Sequence, residues 1–115
     1  MRPFNLPSLS LNKIAESFAA KSESSSEEIA RITISGVTHS DSEVQPGDLF
    51  IAMSGAKRHG AEFAASAEKC GAVAVLTDEA GSKLIEIMEV KIPVLVVSNP
   101  RLVAGRISAL LYNEP

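Results

Sequence analysis

The sequence predicts an α/β domain, a small and mostly parallel sheet with helices on both faces, and three observations carry that expectation. Short apolar runs at 49–53, 72–76 and 94–97 lack polar alternation, as strands covered on both faces require. Helical periodicity fills the gaps between them, so strand and helix alternate. A length of 115 residues, 45% hydrophobic and 22% charged, suffices for one core but not for two ordinary domains. One domain over 1–115 with right-handed crossovers is the expectation.

The elements follow in chain order. Leu11, Ile14, Ala15 and Phe18 recur at i, i+3, i+4 and i+7 and predict a short amphipathic helix over 10–20. Residues 21–28, Lys-Ser-Glu-Ser-Ser-Ser-Glu-Glu, offer no apolar side chain to bury and predict a mobile surface loop. Over 31–35 the pattern turns two-fold, with Ile32 and Ile34 on one face, and predicts a half-buried strand that Gly36 interrupts. Pro46-Gly47 is a turn pair that launches the buried strand 49–53. A polar loop over 55–60 leads to a helix marked by Phe63, Ala64, Ala67 and Cys70 and closed by Gly71. The strand 72–76 follows, then a helix carrying Leu84, Ile85 and Met88, then the strand 94–97. Ser98-Asn99-Pro100 supplies a cap and a first-turn proline for a last helix through Leu102, Val103, Ile107 and Leu110.

Composition excludes several functions. Eleven Lys and Arg against 14 Asp and Glu give a net charge of −3, which supplies no basic face for nucleic acid. No apolar stretch approaches a bilayer span and the start lacks a signal h-region, so no membrane partner and a cytoplasmic setting are expected. The single Cys70 excludes an internal disulfide and is expected as a small buried residue. Two histidines form no metal site. Without a Gly-x-x-x-x-Gly-Lys-Ser/Thr loop or a Gly-x-Gly-x-x-Gly motif, unaided ATP hydrolysis is not expected. His39-Ser40-Asp41-Ser42 is no catalytic triad, because neighbours in an extended segment point to opposite faces.

Two polar loops remain, 38–43 and 55–60, both at strand ends where α/β folds take ligands. Free N–H groups at the helix start after Gly60, with Lys57 and Arg58 alongside, suit a diphosphate. The plainer reading makes Lys57 and Arg58 solvated loop cations and His59 a capping or surface residue.

The stretch from Gly36 to Gly55, with Pro46-Gly47-Asp48-Leu49-Phe50, then Gly60, Phe63, Ala67 and Gly71-Ala72-Val73-Ala74-Val75, resembles the N-terminal domain of Mur ligases. That family carries a Thr-x-Asp-Ser-Arg segment, Pro-Gly-Asp-Leu-Phe, a Gly-x-x-x-Asp-Gly loop and a helix ending in Gly-Ala. Tyr112-Asn113-Glu114-Pro115 resembles the segment that precedes the ATP-binding domain in UDP-N-acetylmuramoyl-tripeptide synthetases, more than in the D-alanyl-D-alanine-adding ligases. The resemblance implies a monomeric domain that binds the UDP end of a UDP-N-acetylmuramoyl-peptide, holds no catalytic residue and is a fragment. ATP and Mg²⁺ are then expected in the full-length ligase and no cofactor in this chain. It also implies substrate contacts at His39, Ser40, Asp41 and Ser42, where the family's Asp-Ser-Arg falls on Ser40-Asp41-Ser42. A one-residue shift aligns Asp41-Ser42-Glu43 instead, which leaves Ser40 and Ser42 both open as the uracil hydroxyl. The ligand-contacting triplet after the glycine maps to Ala56, Lys57 and Arg58, and His59 stands where the family has Asp. A stand-alone nucleotide-binding module is the rival reading.

Overall fold

In the computed structural model, which describes residues 9–22, 26–54 and 59–112, the first described element is β1 (Leu9–Ser10). This strand pairs antiparallel with β2 (Thr33–Ile34). Between them, α1 (Leu11–Ser17) buries Leu11 and Ile14 and ends where Ala19 takes a φ of 52°. The polar run that follows, expected as a mobile loop, is tied to other elements at both of its described ends. Lys21 exchanges backbone hydrogen bonds with Val96, 2.9 Å from its N–H and 2.8 Å to its carbonyl, and α2 (Ser26–Ala30) starts inside the serine and glutamate tract. Ile29 anchors that short helix in the core, and Glu27 and Glu28 sit in its first turn, where the helix dipole favours them. Residues 23–25 lie outside the described residues.

The parallel sheet consists of β3 (Gly36–Thr38), β4 (Asp48–Ile51), β5 (Ala74–Thr77) and β6 (Val94–Val96), laid side by side in chain order. Gly36, read as an interruption, instead opens β3 and pairs with Asp48. Between β4 and β5 lie a 3₁₀ turn (Gly60–Phe63) and α3 (Ala64–Lys69), between β5 and β6 lies α4 (Glu79–Glu86), and α5 (Pro100–Tyr112) follows β6. Cys70, expected as buried, is exposed, because it sits at the cap of α3 beyond its last helical residue, Lys69. No described helix is long and apolar enough to cross a membrane.

Both faces of the sheet are covered, as the unbroken apolar runs require. Leu49, Ile51, Leu76 and Leu95 pack with α1, α2 and α5 through Leu11, Ile14, Ile29, Val103 and Ile107. Phe50, Ala52 and Val75 point the other way, toward Ala61, Ala64, Ala67 and Ile85. Alanines on α3 let that helix approach closely.

Pro46 to Phe50, the segment most specific to the family pattern, lies at the amino end of the strands. Gly47 has a φ of 94° and its N–H donates to the Gly71 carbonyl at 3.1 Å. Asp48 is buried and its Oδ2 accepts from Gln45 N–H at 2.9 Å, which closes the turn. This motif is a folding device at the edge opposite the candidate site.

Candidate functional site

The carboxyl ends of β3, β4, β5 and β6 form one edge, the edge at which open parallel sheets take ligands. At the end of β3, Thr38 Oγ1 accepts from Ser40 N–H at 3.2 Å and fixes the chain's exit from the strand. A 3₁₀ turn (Asp41–Glu43) follows, closed by Glu43 N–H donating to the Ser40 carbonyl at 3.1 Å. That turn sets Ser40 Oγ and Ser42 Oγ 3.0 Å apart. The two alignments that favour one serine or the other therefore converge on a single pair of hydroxyls. His39 beside them is exposed, and the Asp41 side chain lies outside the described residues.

At the end of β4, Ser54 forms a bridge with His59, and Gly60 N–H donates to the Met53 carbonyl at 2.8 Å. Ala56, Lys57 and Arg58 lie outside the described residues. The free N–H groups expected at the following helix start are not free. Besides Gly60, Ala61 N–H donates to His59 Nδ1 at 3.0 Å and Glu62 N–H donates to the His59 carbonyl at 3.1 Å. His59 caps the turn that a diphosphate was expected to cap.

At the end of β5, buried Thr77 donates its hydroxyl to the Ala52 carbonyl at 3.0 Å, tying β5 to β4. Asp78 caps α4, with Oδ1 accepting from Gly81 N–H at 2.8 Å. The same oxygen lies 2.8 Å from His59 Nε2. Burial pushes the Asp78 carboxyl up, but the Gly81 N–H and the His59 ring outweigh it and hold the group below its ordinary value. At the end of β6, Asn99 Oδ1 accepts from Leu102 N–H at 3.2 Å, the expected cap of α5.

Sequence reasoning did not single out Asp78. Its local signal was a helix start, an Asp three residues before a glycine N–H; its pairing with His59, 19 positions away, has no sequence signature. An open groove of about 1360 Å³ runs along β6 between α4 and the 18–22 segment. It meets this edge at Asp78 and Ser98, and neither the serine pair nor His59 lines it. The hydroxyl pair lies apart from that groove, at the carboxyl end of β3.

A family model described as "Mur ligase family, catalytic domain" matches residues 33–112. The chain is 37% identical over 114 residues to a UDP-N-acetylmuramoyl-L-alanyl-D-glutamate--2,6-diaminopimelate ligase of Streptomyces coelicolor, covering 99% of this chain and 21% of that protein. It is 39% identical over 82 residues to a UDP-N-acetylmuramyl-tripeptide synthetase of Deinococcus radiodurans, covering 71% of this chain and 16% of that protein. The chain thus spans about a fifth of the length of the curated relatives it matches. Among solved structures, MurF from Acinetobacter baumannii superposes with a TM-score of 0.69 at 18% identity, over 91% of this chain and 21% of that one, a likeness of fold.

Proposed function

The chain belongs to the Mur ligase family, and from that premise we propose that it is the N-terminal, UDP-holding domain of a ligase that adds an amino acid to UDP-N-acetylmuramoyl-L-alanyl-D-glutamate. The observation that carries the reading is the Ser40–Ser42 hydroxyl pair at the carboxyl edge of the sheet. Uracil offers two carbonyl acceptors and one N–H donor, and a hydroxyl can meet either kind of group. Both serines stand on a turn fixed by backbone bonds, so they present the hydroxyls in a set geometry. Relatives named as diaminopimelate ligases and a tripeptide synthetase support this member of the family.

Such a domain acts by holding a remote nucleotide handle, whose binding energy places a distant carboxylate for reaction elsewhere in the ligase. ATP with Mg²⁺ supplies the phosphoryl group that activates that carboxylate in the whole enzyme, in the cytoplasm, on residues outside this monomeric chain. Ala56, Lys57 and Arg58, next to this edge in sequence, are proposed as further substrate contacts, the two cations with the diphosphate. His39 precedes the two serines in sequence and Asp41 stands between them, and both are proposed as further substrate contacts. The N–H groups at the start of the Gly60–Phe63 turn take no part, since protein acceptors hold them.

Calorimetric titration of the chain with UDP-N-acetylmuramoyl-L-alanyl-D-glutamate tests the reading. Changing Lys57 and Arg58 together to Ala should weaken binding about tenfold or more if either contact is direct. Ser40→Ala with Ser42→Ala should weaken it further, with the fold unchanged. Wild-type affinity in both double variants would remove this edge as the nucleotide site.

A further inference from the structure

We propose that His59 and Asp78 form a positioning pair, in which a neutral imidazole of one tautomer ties the end of β4 to the start of α4 and fixes the edge on which the nucleotide rests. The proposal rests on the reading of that edge as the UDP site and assigns it a supporting residue pair.

The protonation pattern follows from the partners. The Asp78 carboxyl, held below its ordinary value, is ionised at neutral pH and only accepts hydrogen bonds. His59 Nε2, 2.8 Å away, must carry the hydrogen between them. His59 Nδ1 accepts from Ala61 N–H at 3.0 Å and must be bare. Both conditions hold only for the neutral Nε2–H form, and a second ring proton would stand against the Ala61 N–H.

The surroundings fix the ring as firmly as its bonds do. The His59 side chain is 10% exposed and that of Asp78 27%. A Cβ on Gly81 would lie 2.6 Å from His59 Cε1, so the ring fills the space that the glycine leaves. The backbone of His59 is bridged to Ser54 at the end of β4, while Asp78 leads from β5 into α4. Each cap alone could be met by a smaller side chain, Asn at 59 or Ser at 78, at lower desolvation cost. What the larger pair adds is the connection between the two ends, and connection is what a binding edge needs if its donors and acceptors are to stay in register.

Two substitutions cut the link and keep each cap. His59→Asn retains an acceptor for Ala61 N–H, and Asp78→Ser retains one for Gly81 N–H, but neither reaches across. Uridine diphosphate is titrated into the wild-type chain, each variant and the double variant by calorimetry, with folding checked by amide spectra. Each single variant is expected to lose about fivefold or more in affinity, and the double no more than the weaker single, because both cut one connection. Asp78→Asn, whose Oδ1 can accept from both partners, should restore most of the affinity lost in Asp78→Ser. Long-range ¹H–¹⁵N spectra of the wild-type ring should show Nε2 protonated and Nδ1 bare, a measurement that needs no variant to fold.

Wild-type affinity in folded single variants, additive losses in the double, failure of Asp78→Asn to restore binding, or a protonated Nδ1 would each overturn the proposal while the site stands. Absence of uridine diphosphate binding by the wild-type chain, with the Nε2–H tautomer in place, would instead overturn the site and the proposal with it.

Discussion

Asp78 puts two hydrogen bonds on one carboxylate oxygen, and its titration is therefore coupled to stability. Its pKa in the folded chain lies below the ordinary 3.8, so the stabilisation is complete above that value and is lost as pH falls through the folded value. Urea unfolding at descending pH should show the loss in the wild type and a flatter acid limb in Asp78→Asn. Gly81 is the second sensitive position, because a methyl group there would overlap Thr77 Oγ1 and press on the His59 ring. Gly81→Ala should cost about 2 kcal/mol in urea unfolding, since neither neighbour is a free surface side chain. Of these residues only His59 was legible in the sequence, and only as a cap or a surface group. The serine pair was legible as two alternatives, since a sequence shows spacing but not the 3₁₀ turn that brings both hydroxyls to one point.

Elements with both faces buried were the most legible, because an unbroken apolar run of four or five residues between turn signals has few other readings. Phe50, fully buried against the alanine face of α3, illustrates the packing behind that signal. Phe50→Ala should destabilise the chain by about 3–5 kcal/mol, measured as a shift in the urea midpoint. Of the short strands, β2 was legible from the two-fold pattern over 31–35, whereas β1, with two residues, and β3, with three, are too short to show a period. Composition misled at α2, where serine and glutamate favour a loop on average but here provide the first turn of a helix held by Ile29. The contact between the Pro46-Gly47 turn and Gly71 is a further point of strain if altered. Gly71 has a φ of 112°, and a Cβ there would lie 2.8 Å from Pro46 Cα, so Gly71→Ala should lower the thermal midpoint measurably even though the site is distant.

At the scale of the molecule, the sheet accounts for the fold and its carboxyl edge carries the proposed site, while the sequence motif that marks the family most clearly, Pro46 to Phe50, lies at the amino edge. Purified chain, which has no phosphate-cradling glycine loop in its sequence, should release no phosphate from ATP with Mg²⁺ and UDP-sugar substrate in a colorimetric assay. The strand order follows the order of synthesis, so on the ribosome each new parallel strand finds its neighbour already made. The two sides do not mature together. The layer of α3 and α4 is complete once β6 has emerged, but α5, which follows β6, packs on β3 and β4, which emerged early. A nascent chain stopped before residue 100 would hold Leu49, Ile51 and Leu76 without Val103 and Ile107 above them. Between translation of β4 and emergence of α5, that face of the sheet therefore stays without the helix that covers it.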